Sequence, residues 1–103
     1  MKIYIAGPYT KGDVAVNVKE AIHAGDYVAR LGHTVFIPHL THFWHMLIPH
    51  EYDFWMAQDE AWLLECDAVL RLKGESKGAD QEVKIAEAHD KPIYYSVFEV
   101  PRA

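Results

Sequence analysis

Two rhythms of apolar and polar positions alternate along this chain of 103 residues. Residues 2–6, KIYIA, form a short apolar run closed by Gly7-Pro8, which reads as a buried strand and a turn. From Asp13 to Leu31 the rhythm changes. Val14, Val18, Ala21, Ile22, Gly25, Val28 and Ala29 recur at helical spacing, with Asp13 placed to cap the helix and Gly32 to stop it. TVFIP (34–38) predicts a second strand closed by proline, and a loop rich in histidine and aromatic residues is expected from His39 to Ile48. Pro49 stands where a further helix begins, with Tyr52, Trp55, Met56, Asp59, Trp62 and Leu63 on one face. DAVLRL (67–72) predicts a third strand, GESKGADQEVKIAEA (74–88) a loop and short helix, and PIYYSV (92–97) a fourth strand.

Strands that alternate with helices in this way form a parallel sheet with right-handed crossovers and helices on both faces. The strands are apolar almost throughout, as strands covered on both sides must be. Ligands of such sheets bind beyond the carboxyl ends of the strands. The segments that meet there are Gly7–Gly12, His39–Ile48 and Lys73–Gly78. They carry glycine, polar and aromatic residues that a purely structural loop does not need.

Composition narrows the function. Half of the residues are hydrophobic and 24% are charged, a globular mixture that at this length makes one domain, 1–103. A formal charge of −5 argues against a binder of nucleic-acid polymers, while leaving room for a small anion held by local lysines. Cys66 is the only cysteine, so neither an internal disulfide nor a CxxC motif is present. The first residues lack a signal-peptide pattern and no stretch is long enough to span a bilayer, so the expected setting is cytoplasmic.

Several residues stand out against this background. Asp59 is flanked at helical distance by Trp55, Met56, Trp62 and Leu63, which turns a carboxyl toward apolar surroundings. Such a group shifts its pKa or finds a partner, as a structural acid or as a catalyst. Glu82 has small neighbours, Ala79 and Ala86, and is expected in the first turn of its helix, where the dipole favours a charged carboxylate. On local grounds helix-end electrostatics explains it better than catalysis does, although Asp80 and Gln81 can serve that end from exposed positions. Ser76 reads as an N-cap, and with Gly78 it also opens a helix N-terminus suited to an anion. Lys11, Lys73 and Lys77 supply positive charge near that point. No GKS or GKT follows the glycine, and Gly7-Pro8-Tyr9 is no dinucleotide fingerprint. His39, His42, His45 and His50 have neither a cysteine companion nor an HExxH motif, so no metal or other cofactor is expected. Phe43 and Trp44, interleaved with them, suggest a lid or a wall for stacking a base. Tyr4 is a phenol in a buried strand and needs a hydrogen-bond partner. Asp67, at the start of the third strand, reads as structural.

The ordered set KIYIAGP, LGHTVFIP, the Asp59 helix, LLECDAVLRL and KGADQEVKIAEAHDKPI resembles the nucleoside 2-deoxyribosyltransferase superfamily, above all its short bacterial and phage members. The resemblance covers nearly the whole chain. It implies a flavodoxin-like three-layer α/β sandwich with a parallel sheet of four or five strands in the order 2-1-3-4. Glu82, four residues after Gly78, matches the family's nucleophile; Asp59, eight before Asp67, matches its base-side acid; Tyr4 matches its active-site tyrosine. Six residues before the nucleophile stands Ser76, as in relatives that hydrolyse 2'-deoxynucleoside 5'-monophosphates; transferases acting on free nucleosides have aspartate there. GPYTKGD lacks the glycine- and arginine-rich phosphate loop of those hydrolases. The implied activity is an N-glycosidase acting through a glycosyl-glutamate, with a transferase or a nucleotide-sensing module as alternatives. The implied ligand is a small nucleotide or nucleoside, held by Gly7, Tyr9, Lys11, Ser76, Lys77, Gly78, Phe43 and Trp44, in a homodimer.

Overall fold

A computed structural model describes Met1–Ala103. Four strands, β1 (Lys2–Ala6), β2 (Thr34–Phe36), β3 (Ala68–Arg71) and β4 (Ile93–Tyr94), form one parallel sheet in the order β2-β1-β3-β4. Tyr4 lies opposite Phe36 on one side and Val69 on the other. Successive strand side chains point to opposite faces, and this divides the core. Ile3, Ile5, Ala68 and Leu70 meet Ala21 and Val28 of α1 (Val14–Arg30) on one face. Tyr4, Ala6 and Val69 meet Leu63 of α3 (Tyr52–Glu65) and Ala79 and Ala86 of α4 (Lys77–Ala88) on the other. The result is the flavodoxin-like α/β sandwich, with four strands and no fifth.

The helix ends follow local chemistry. Asp13 caps α1 by accepting the Val16 amide, and the chain leaves the helix through Gly32 at a φ of +99°, a conformation glycine adopts without strain. Ser76 caps α4 by accepting the Ala79 amide. Asp67 accepts the Lys2 amide at 2.7 Å and so ties β3 to the start of β1.

Several boundaries differ from the sequence expectation. The segment after β2 is helical rather than a loop: a 3-10 turn over Pro38–Thr41 runs into α2 (His42–Leu47). Pro38, at the first position of the turn, starts it because its ring fixes φ near the helical value. The next helix begins at Tyr52 rather than Pro49. β4 has two residues of the expected six, because Ser96 caps a second 3-10 turn, Val97–Glu99, that takes the chain off the sheet. No helix is long and apolar enough to cross a membrane.

Candidate functional site

Beyond the carboxyl ends of β1, β2 and β3 lies a cavity of about 460 Å³. Gly7 and Tyr9 reach it from the segment after β1, and Pro38, His39 and His45 from the segment after β2. Tyr52, Trp55, Met56 and Asp59 face it from α3, and Glu75, Ser76, Lys77, Gly78 and Glu82 from the β3–α4 junction. Neighbours at i, i+3 and i+4 explain how α3 brings Trp55, Met56 and Asp59 to a common wall.

Glu82 is 5% exposed. It is the sixth residue of α4, a turn deeper than the expected first turn, so the helix end does not hold it ionised. Burial raises its carboxyl to about 7, opposed by the hydrogen bond that the Tyr4 hydroxyl donates to Oε2 and by the charge of Arg71. Tyr4 is fully buried in β1, and burial with the nearby Glu82 and Asp59 charges holds its phenol well above the ordinary value. It is therefore a fixed donor. Asp59 is half-buried, and desolvation raises it to about 6. Two perturbed carboxyls in one cleft, one of them held from behind by a neutral phenol, are what acid–base and nucleophilic chemistry require. Trp62, expected beside Asp59, instead stacks on Phe36 at 5.0 Å outside the cavity and stays 52% exposed.

The β3–α4 junction forms the other wall. Gly78 faces α3 closely: a Cβ there would stand 3.4 Å from the Tyr52 hydroxyl. Ser76 and the first residues of α4, Lys77, Gly78 and Ala79, line the cavity, and a helix N-terminus in that position is suited to an anion. Lys11 also lines the cavity and pairs with Glu75 at 3.8 Å, both groups well exposed. Lys73 lies outside. Gly7 owes its identity to packing as well, since a Cβ would press on Leu72 at 3.1 Å.

Arg71 does not line the cavity but supports the wall that does, a role that the sequence reading missed. Its guanidinium donates to the carbonyls of Leu72 and Gly74 and pairs with Asp80 at 2.9 Å, so it fastens the junction to α4. The available signal was an arginine within an apolar strand, AVLRL.

The histidines are distributed rather than gathered, and no group of three or more His, Cys, Asp or Glu is placed to hold a metal ion. His39 is buried and bonds to the Pro8 carbonyl through Nε2 at 2.9 Å; its Nδ1 makes no hydrogen bond, and burial lowers its pKa. His42 meets the Tyr9 hydroxyl at 2.5 Å and joins the first loop to α2. His50 stacks on Phe54 at 3.8 Å. The expected stacking pair does not line the cavity: Phe43 is 67% exposed, and Trp44 packs edge-on behind Trp55 at 4.9 Å. α2 is a helix, and its turn carries His45 inward while Phe43 points out. His45, His50 and Trp55 form the aromatic wall instead.

Residues 1–95 match the model of a family described as Domain of unknown function (DUF4406). None of the curated proteins matches the chain. Among solved structures, a 2-deoxyribosyltransferase from the psychrotolerant bacterium Bacillus psychrosaccharolyticus is similar over 90% of this chain and 69% of its own, with 22% identity and a TM-score of 0.66. That likeness establishes a shared fold.

Proposed function

We propose that this chain, which belongs to the DUF4406 family, is an N-glycosidase that cleaves the base–sugar bond of a nucleoside or 2'-deoxynucleoside 5'-monophosphate. The observation that carries the reading is Glu82, a buried carboxyl gripped by the Tyr4 hydroxyl and opening on a cavity that it shares with Asp59. The fold shared with a 2-deoxyribosyltransferase supports a place in that superfamily.

In this mechanism ionised Glu82 attacks the anomeric carbon. The bond to the base breaks, its electron pair leaves with the base, and protonated Asp59 delivers a proton to it. Water then attacks the same carbon, frees the Glu82 carboxylate and returns a proton to Asp59, which is the retaining route of glycoside hydrolysis. Tyr4 steadies the Glu82 charge by donating its hydroxyl proton as a hydrogen bond. Ser76, Lys77, Gly78 and the first amides of α4 hold the phosphate, with Lys11 nearby.

The test is base release from a panel of 5'-monophosphates, followed by chromatography. Wild-type protein releases base, Glu82→Ala does not, and intact mass shows a sugar adduct on the wild type alone. Undiminished release by Glu82→Ala overturns the mechanism; tight binding without release indicates a sensing module. The named activity of the structural neighbour favours a second reading, transfer to another base. Added free base accelerates turnover in a transferase and not in a hydrolase. For the homodimer, Leu40, Phe43, Met46 and Leu47 offer apolar surface, each 60% exposed or more, and sedimentation measures the assembly.

A further inference from the structure

The two ring nitrogens of His45 are not equivalent. Nδ1 receives the indole N–H of Trp55 at 2.8 Å and the backbone N–H of His50 at 3.3 Å. Both partners only donate, so Nδ1 acts as an acceptor without a proton, and the neutral ring carries its proton on Nε2. Trp55 holds this arrangement because it packs edge-on against Trp44, Phe54 and His50. Turning the His45 ring over would set Cδ2–H against the indole N–H, and moving the proton to Nδ1 would set N–H against N–H; either leaves the indole donor unpaired, a costly loss in a partly buried place. Nε2 has no hydrogen-bond partner in the protein, while His45 and Trp55 both line the cavity. Asp59 stands one turn along α3 from Trp55. A fixed, uncharged N–H donor is thus built into a wall of the cavity that Asp59 also lines.

We infer that His45 is a specificity residue that donates Nε2–H to the oxygen on C6 of a purine or C4 of a pyrimidine, so the site prefers nucleotides that carry an oxo group there to those that carry an amine. The inference rests on the glycosidase reading for the identity of the ligand. O6 of guanine or hypoxanthine, or O4 of thymine or uracil, accepts this donor. The exocyclic amine of adenine or cytosine meets it with another N–H, and the lock on Nδ1 denies the ring the tautomer that would accept. The same hydrogen bond draws charge from the base as it departs, in the direction that Asp59 also serves.

The experiment measures binding of deoxyguanosine, deoxyinosine and deoxyadenosine monophosphates, and of the thymidine and deoxycytidine monophosphates, to wild type, His45→Gln and His45→Phe. Base release is followed separately. Wild type binds the oxo members about tenfold tighter than their amino counterparts, the size of one hydrogen bond made against one refused. In His45→Gln the ratio falls to near one, because an amide turns to offer either its oxygen or its nitrogen. In His45→Phe the ratio also falls, while stacking against Trp55 is kept. A wild-type ratio near one or inverted, an unchanged ratio in His45→Phe, or no binding by any of these nucleotides overturns the inference. Nitrogen NMR of the His45 ring tests the lock without a variant: a proton on Nδ1 also overturns it. A His45-dependent ratio without base release sinks the hydrolase reading alone. Base release without that ratio sinks the specificity reading alone.

Discussion

Replacing Glu82 with glutamine removes a charge from a site that burial makes hostile to it, and stability reports the change directly. In the fold the Glu82 carboxyl titrates at about 7, against an ordinary value of 4.5, chiefly through desolvation. The folded state therefore binds this proton more tightly than the unfolded chain does. The resulting stability is fully present below the ordinary value and is lost as pH rises through the folded one. At about 1.4 kcal/mol per pKa unit, the interval from 4.5 to about 7 corresponds to about 3 kcal/mol. Glutamine has the shape of the protonated acid and its amide oxygen still accepts the Tyr4 hydroxyl, so the variant matches wild type near pH 4. Above pH 8 it is more stable by about 3 kcal/mol, or roughly 12 °C in Tm for a domain of this size. Urea denaturation followed by tryptophan fluorescence at several pH values measures this difference, and comparison with wild type cancels the other titrating groups. A difference that stays constant from pH 4 to pH 9, or that favours wild type at high pH, would refute the reasoning. The same variant is expected to be inactive, so stability is gained where function is lost.

Three further outcomes follow from the same geometry. The reaction needs Glu82 ionised and Asp59 protonated, and the pair titrates between about 6 and about 7, so kcat/KM traces a narrow bell between those values; a plateau extending to pH 9 contradicts it. Tyr4→Phe removes the donor that lowers the Glu82 pKa, and because Glu82 titrates above Asp59 the falling limb of that bell moves to higher pH, its maximum drops and stability falls by about 1 kcal/mol; an unmoved limb excludes Tyr4 as the stabilising partner. Asp80→Ala frees the Arg71 guanidinium from α4 and loosens the junction, so KM rises for monophosphates and changes little for free nucleosides; equal effects on both count against a phosphate at this wall.

Much of this site was written in local sequence. The family spacing singled out Glu82 and Asp59, and a phenol in an apolar strand drew attention to Tyr4; in the fold the Tyr4 hydroxyl meets Glu82 across 78 positions of sequence. Ser76 could be read as a cap because the cap bond reaches only three residues, and it does accept the Ala79 amide. Errors arose where facing depended on exact helix phase. With the cap at Ser76, α4 starts at Lys77 and Glu82 is its sixth residue, beyond the first turn, so desolvation rather than the helix dipole sets its proton affinity. A histidine-rich stretch without clear periodicity read as a loop, and its helical turn put His45 rather than Phe43 on the cavity side. Arg71 was overlooked because its partners, Gly74 and Asp80, are assembled only when the junction folds back on β3.

The sequence by itself determined the order of strands and helices, the parallel sheet and the end of it at which the cavity lies, since these follow from short-range periodicity and from the handedness of crossovers. The proton affinities of Glu82 and Asp59, the tautomer of His45 and the grip of Arg71 were decided only by tertiary structure. Each depends on which distant groups exclude water from a side chain or meet it within hydrogen-bond reach, and no spacing along the chain records that.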